Sequence, residues 1–212
     1  MTMKRIDMAD FPRRDHFNHF VGMAYPYVGV TVDVDVTDLL AFCREKGHSF
    51  YLLVLHAVAL AADEVPQLRQ RIDGVGVAEY DTCPTSHTEL KAAGTYAYCT
   101  LHHHLPLAEY LAKAEAAREA ARTFGSIEEE DEVQSMYFIS TLPWLHYTQL
   151  VQPVACGEES NPRFTWGKYQ QNDRGRVMMP LSVLAHHALV DGLHIAQFYD
   201  AFNRQLQLLC NE

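Results

Sequence analysis

Apolar and polar side chains alternate through YVGVTVDVDV, which predicts a strand over residues 27–36 with one buried face. The period then changes. Thr37 is placed to cap a helix carrying Leu39, Leu40 and Cys43, with Gly47 to end it. Ser49 opens a second helix, FYLLVLHAVALAADEV, which stops at Pro66 and is apolar nearly all round, as a central buried helix must be. Asp73-Gly74 marks a hairpin turn between two short runs. Residues 95–101 (TYAYCTL) are rich in strand formers. Residues 106–124 form a helix of Ala, Glu, Lys and Arg, with Gly125 as its C-cap. Strands are expected at 137–140, at 164–170 and, with the best pattern in the chain, at 177–185. A last helix begins near His194, with Ile195, Phe198, Phe202, Leu206 and Leu209 on one stripe. Residues 5–20 read as an irregular or short helical opening segment. Without a regular βαβ rhythm, a Gly-rich phosphate loop or a repeat, the expected fold is α+β. It is an α/β two-layer sandwich, a mixed β-sheet covered by helices, in a single domain over 1–212.

Charge narrows the partners. The net charge is −10 and no dense Lys/Arg cluster exists, so nucleic acid is not an expected partner. No apolar stretch is long enough to span a bilayer, and residues 1–17 lack the apolar core of a signal peptide; the expected location is cytoplasmic, away from membranes. Five cysteines, odd in number and never in CxxC spacing, suit reduced thiols better than disulfides or a thiolate metal site. The acidic run at 128–132 reads as a solvated surface.

Twelve histidines supply groups that titrate near neutrality. Most have plain explanations. His102, His103 and His104, if on a strand, point to alternating faces and cannot all converge, so no metal site is expected there. His56 on its apolar helix reads as a hydrogen-bonded core residue, and His16, His19, His48, His87 and His146 have no informative spacing. His186-His187 differs, because it ends the best strand and is followed by Asp191-Gly192 and an amphipathic helix. A histidine at a strand end can face a pocket from a rigid backbone and take a proton from a hydroxyl or thiol. From the residues alone, a capped turn that merely contains two histidines is an equally good reading.

HHALVDG (186–192) resembles the HHxxxDG signature of the chloramphenicol acetyltransferase family and, more distantly, of other CoA-dependent acyltransferases. RRDHF (13–17), SFY (49–51), STLPW (140–144), KYQQ (168–171) and MPLSV (179–183) add to the resemblance in order, over essentially the whole chain. It implies an acetyl-CoA-dependent O-acetyltransferase in which His187 is the general base, Ser140 stabilises the oxyanion and Thr165 assists through a bound water. Asp191 and Arg13 take the place of a supporting ion pair. Trp144, Tyr169 and Tyr51 take positions along the CoA channel. Ser49 replaces a frequent lysine, and Lys168 is the nearby cation able to compensate.

The same resemblance implies a homotrimer, with His187 of one subunit facing an acceptor pocket largely on its neighbour. The acceptor is a small hydroxylated molecule, chloramphenicol being the first candidate and antibiotic resistance the associated role. The acceptor-side residues Phe20, Phe138, Leu150 and Gln152 depart from the family pattern. A different hydroxylated acceptor, or a trimeric binding protein with little activity, are therefore the competing readings. A hydrolase using Ser140 as nucleophile is the weakest, because Ser140 lacks the GxSxG elbow.

Overall fold

Ten residues, Val177–His186, form the strand on which the fold is built. The computed structural model describes residues 2–128, 133–155, 157 and 159–211; most of the acidic run at 128–132, and Cys156, lie outside them. In chain order the elements are β1 (Met3–Ile6), α1 (Arg14–Phe20), β2 (Tyr27–Asp35), α2 (Thr37–Lys46) and α3 (Phe50–Asp63). Then come β3 (Gln70–Asp73), β4 (Gly76–Tyr80), β5 (Thr85–Leu90), β6 (Tyr96–Leu101) and α4 (Leu107–Phe124). The chain finishes with β7 (Tyr137–Leu142), β8 (Arg163–Gly167), β9 (Gln170–Gln171), β10 (Val177–His186) and α5 (Gly192–Leu209).

Among the described residues the main sheet runs β2-β10-β8-β7-β5-β6, with β9 on β10, and a small sheet runs β1-β4-β3. The β5–β7 and β7–β8 pairs are parallel and the others antiparallel, so the sheet is mixed, as expected. Helices cover one face. Met179, Leu181, Val183 and Ala185 of β10 turn towards them and are buried with Phe164 and Trp166 of β8. Helix α3 is buried from Leu52 to Val58 without a break, and α5 packs beside it through Ile195, Phe198 and Phe202. The alternate residues of the same strands, Ser182, Thr165 and Ser140, belong to the opposite face.

Several boundaries differ from expectation for local reasons. The cap of α2 is Val36, and the turn is held by Asp35, whose Oδ1 accepts from the backbone and hydroxyl of Thr37. Ser49 does cap α3, accepting from the Leu52 amide, and Gly47 ends α2 at φ 71°. Gly125 follows α4 in an extended conformation. Its need for glycine is close packing, since a Cβ there would meet the Ala121 carbonyl at 2.6 Å and Ala97 Cβ at 2.9 Å. The strand expected at 164–170 breaks after Gly167, where a Cβ would stand 2.6 Å from the Leu145 carbonyl oxygen. Helix α5 begins two residues earlier than read, because Asp191 caps it and His194 closes a reciprocal bond to the Asp191 amide. Strands β1 and β5 were not legible. The four described cysteines, Cys43, Cys83, Cys99 and Cys210, are free.

His56 is buried, but its Nδ1 has no partner among the described residues; its ring lies 4.2 Å from that of Tyr110 instead. The expected hydrogen bond is therefore absent at that nitrogen. Burial, aided by nearby His103 and His104, holds its pKa at about 4 against an ordinary 6.5. The unfolded chain thus takes up this proton first as pH falls. The contribution is fully present above pH 6.5 and is lost towards pH 4, by on the order of 3 kcal/mol. Unfolding free energies from urea titrations at pH 7.5 to 4 are expected to fall more steeply for the wild type than for His56→Leu. Parallel curves would rule out this source of acid sensitivity.

Candidate active site

Register places a row of hydroxyls across the helix-free face. Ser140 of β7 pairs with Thr165 of β8, Thr165 with Ser182 of β10, and Ser182 with Thr31 of β2. Polar bonds fix most of this row. Ser182 Oγ and Thr31 Oγ1 are 2.7 Å apart, Ser182 also donates to Tyr147 Oη, and Tyr147 donates to the Thr165 carbonyl at 2.8 Å. Thr165 Oγ1 accepts from Gln152 Nε2 at 2.7 Å. Gln152, which is half-buried, thereby has a partner for its amide.

Ser140 sits where two cavities meet. One, about 910 Å³, is lined by Ser86, Thr88, Phe138, Gln152, Glu159 and Arg163, besides Ser140. The other, about 750 Å³, is lined by Tyr51, Arg118, Ser140, Trp144, Lys168 and Tyr169. Trp144 is 65% exposed, and Tyr169 is 36% exposed with its ring edge-on to Phe50, so neither is a core aromatic. Tyr51 is different: it is half-buried under the Arg118 guanidinium, 4.5 Å from its ring centre, with Trp166 beside it. Four of the residues read from the chain as lining a cofactor channel, Tyr51, Trp144, Lys168 and Tyr169, therefore share one cavity. Of the acceptor-side residues, Phe138 and Gln152 line the other; Leu150 and Phe20 do not.

Phe20 lies elsewhere, stacked on His187 with ring centres 4.0 Å apart. His187 Nδ1 stands 2.8 Å from the Val190 carbonyl oxygen, which can only accept, so Nδ1 holds a proton and the neutral ring has its lone pair on Nε2. The neighbouring His186 is structural. Its Nε2 donates to the Gly157 carbonyl, its Nδ1 accepts from the Ala188 amide, and burial lowers its pKa. Arg13 ties the turn down, with Nη1 2.5 Å from Asp191 Oδ2 and Nη2 3.3 Å from the His187 carbonyl. Burial works against the Asp191 carboxylate, but the Arg13 hydrogen bond, with His194 and the Leu193 amide, outweighs it and lowers its pKa.

Within one chain His187 and Ser140 do not meet. Ser182, in register with Thr165, is five residues before His187 on β10, which is roughly 17 Å along a strand.

Two groups of site residues escaped the sequence reading. Arg163 and Glu159 form an ion pair in the wall of the cavity that holds Phe138, and Arg163 lies over the Phe138 ring. Glu89 of β5 is held by Arg118 and Arg122 of α4, beside Tyr51. The i, i+4 spacing of the two arginines, in step with buried Ala114 and Ala121, was the available signal.

The mixed sheet, helix layer and cleft define a two-layer α/β acyltransferase fold. A solved chloramphenicol acetyltransferase superposes with a TM-score of 0.85 at 24% identity, over 97% of this chain and 100% of that one. The dihydrolipoamide acetyltransferase of Azotobacter vinelandii gives a TM-score of 0.68 at 19% identity, over 90% of this chain and 85% of that one. The chloramphenicol acetyltransferase family model matches residues 1–203, and the chain belongs to that family of acyltransferases. Chloramphenicol acetyltransferase 2 of Escherichia coli is 26% identical over 100% of this chain and 98% of its own length. The Bacillus pumilus enzyme is 25% identical over 99% of this chain and 95% of its own length.

Asp191 both caps α5 and pairs with Arg13. Replacing it with Ala is expected to cost about 1–2 kcal/mol at pH 7. Because its pKa is lowered from 3.8 in the folded chain, the ionic part is present above that value and is lost as pH falls through the lower one. Denaturation midpoints at pH 7 and pH 3 are the check; an undiminished difference at pH 3 would mean that the ion pair contributes nothing.

Proposed function

We propose that the chain is an acetyl-CoA-dependent O-acetyltransferase whose active site is completed by two copies in a homotrimer. The observation that carries this is the Val190 carbonyl, which holds the proton on His187 Nδ1 and leaves Nε2 able to act as base at the chain's edge, remote from Ser140. In the proposed step, Nε2 removes the proton of an acceptor hydroxyl as its oxygen attacks the thioester carbonyl of acetyl-CoA. Ser140 Oγ donates a hydrogen bond to the oxyanion that forms, an interaction worth roughly two to three orders of magnitude in rate. The carbon–sulfur bond then breaks, and the imidazolium returns the proton to the CoA sulfur.

Phe20 fixes the plane of the imidazole, and the Arg13–Asp191 pair supports the turn that carries it. Thr165 supports the acceptor side, where Gln152 now engages its hydroxyl. Trp144, Tyr169 and Tyr51 suit the pantetheine arm and adenine, and Lys168 a CoA phosphate.

Chloramphenicol, named in the curated relatives, is the first acceptor to test. A more polar hydroxylated acceptor is favoured by one feature, the Gln152 amide and Arg163–Glu159 pair in the acceptor-side wall. These groups suit hydrogen-bonding substituents better than an apolar ring.

The first measurement is thiol release from acetyl-CoA, with chloramphenicol and without acceptor. Acceptor-dependent release is expected, and release without any acceptor would instead indicate a hydrolase. His187→Ala should lower kcat by about 10²–10⁴ while CoA binding and assembly persist. Co-expressed His187→Ala and Ser140→Ala chains should recover activity at about a quarter of their interfaces, those that keep both residues. No recovery, or a fully active monomer by light scattering, would overturn the shared site.

A further inference from the structure

The strand expected over 95–101 ends at Leu101, so His102, His103 and His104 are not spread over alternate faces of a strand. Beyond it the chain is irregular, and two of the three histidines turn to one point. His103 Nε2 is 2.8 Å and His104 Nε2 2.6 Å from the same oxygen, Asp63 Oδ2, at the C-terminal end of α3. The three potential ligand atoms lie within 4.8 Å of one another. His102 is exposed and takes no part.

The surroundings suit an ion more than a pair of hydrogen bonds. Oδ2 also accepts from Thr82 Oγ1 at 2.8 Å, so three groups crowd an oxygen with two lone pairs. The other oxygen, Oδ1, accepts from Tyr137 Oη at 2.8 Å and from the Cys83 amide at 3.4 Å, which fixes the carboxylate in orientation as outer-shell partners of a ligand do.

Asp63 and His103 are held in the protein interior, whereas the His104 side chain is 54% exposed and leaves a path from solvent. An ion with bonds of about 2.0–2.2 Å in tetrahedral geometry keeps its ligands about 3.3–3.6 Å apart, so admitting one needs each imidazole to withdraw by about 0.5–1 Å. Two imidazole nitrogens with one carboxylate suit zinc-type divalent ions, and not calcium or magnesium, which take oxygen ligands.

We propose that Asp63, His103 and His104 bind one divalent zinc-type ion per chain, with a fourth position open to water. The site is separate from acyl transfer. None of Asp63, His103 and His104 lines either of the cavities that meet at Ser140. An ion there ties the end of α3 to the β6–α4 connection and stabilises the fold by mass action.

The test uses the full chain without a polyhistidine tag, stripped with chelator and titrated calorimetrically with Zn²⁺ and with Mg²⁺. The expected result is one saturable Zn²⁺ per chain, no Mg²⁺ binding, and a melting temperature raised by Zn²⁺. His104→Ala, a half-exposed position whose loss leaves the core untouched, should weaken Zn²⁺ binding at least about tenfold and abolish the shift. His102→Ala should change neither. Absence of saturable binding in the wild type, unchanged binding in His104→Ala, or equal loss in His102→Ala would each overturn the assignment.

Discussion

The side-chain alternation of β10, locked between β2 and β8, is the constraint on which both core and site depend. Met179, Leu181, Val183 and Ala185 enter the helix layer, so Pro180, Ser182 and Leu184 are committed to the other face. A register slip of one residue would exchange the two sets, burying Ser182 under α5 and turning the apolar set onto the face that carries the hydroxyls. The hydroxyl row from Thr31 to Ser140 is therefore the obligatory reverse side of the hydrophobic core. Tyr199 adds to the lock, its hydroxyl donating to the Leu181 carbonyl at 2.6 Å.

Where β10 ends, the chain must reverse into α5 within a few residues while keeping one imidazole available. The work is divided between adjacent histidines. His186 spends both nitrogens on the backbone and is buried, which makes the turn rigid; His187 spends only Nδ1. Asp191 meets the amides of the first turn of α5 and the Arg13 guanidinium together, so the opening segment of the chain is bound to the same turn. A base held this way has few rotamers to lose, which is what preorganisation at a reacting centre requires.

Those parts of the fold whose residues face one apolar side were legible from the chain. Strands β2 and β10, helices α3 and α5, and the hairpin at Gly74 all follow from period and turn chemistry. Strand β5 was not, for a definite reason. Ser86 and Thr88 line the cavity shared with Phe138 and Gln152, while Glu89 turns to Arg118 and Arg122 of α4 with His87 buried beside it, so TSHTEL has no apolar face to betray it. Glu89 is buried yet charged: burial alone would raise its pKa, but His87 and Arg118 hold it at about 2. His87 itself stands 3.3 Å from Glu89 without hydrogen-bond alignment, and burial lowers its pKa. The residues of the cleft were legible only through their resemblance to a family, since no spacing in the chain relates Tyr51 to Trp144 or Gln152 to Thr165.

The same limit explains the cluster at Asp63. Reading three adjacent histidines as a strand spreads them over two faces; one residue of irregular backbone after Leu101 is enough to cancel that inference. Their partner is forty positions away, at the end of a helix whose apolar composition hides a single acid among small and aliphatic residues. That acid occupies a position where burial without partners would cost several kcal/mol, and it has collected five donors. An oversupplied buried carboxylate, and not the run of histidines, is the feature that distinguishes this place from an ordinary solvated loop.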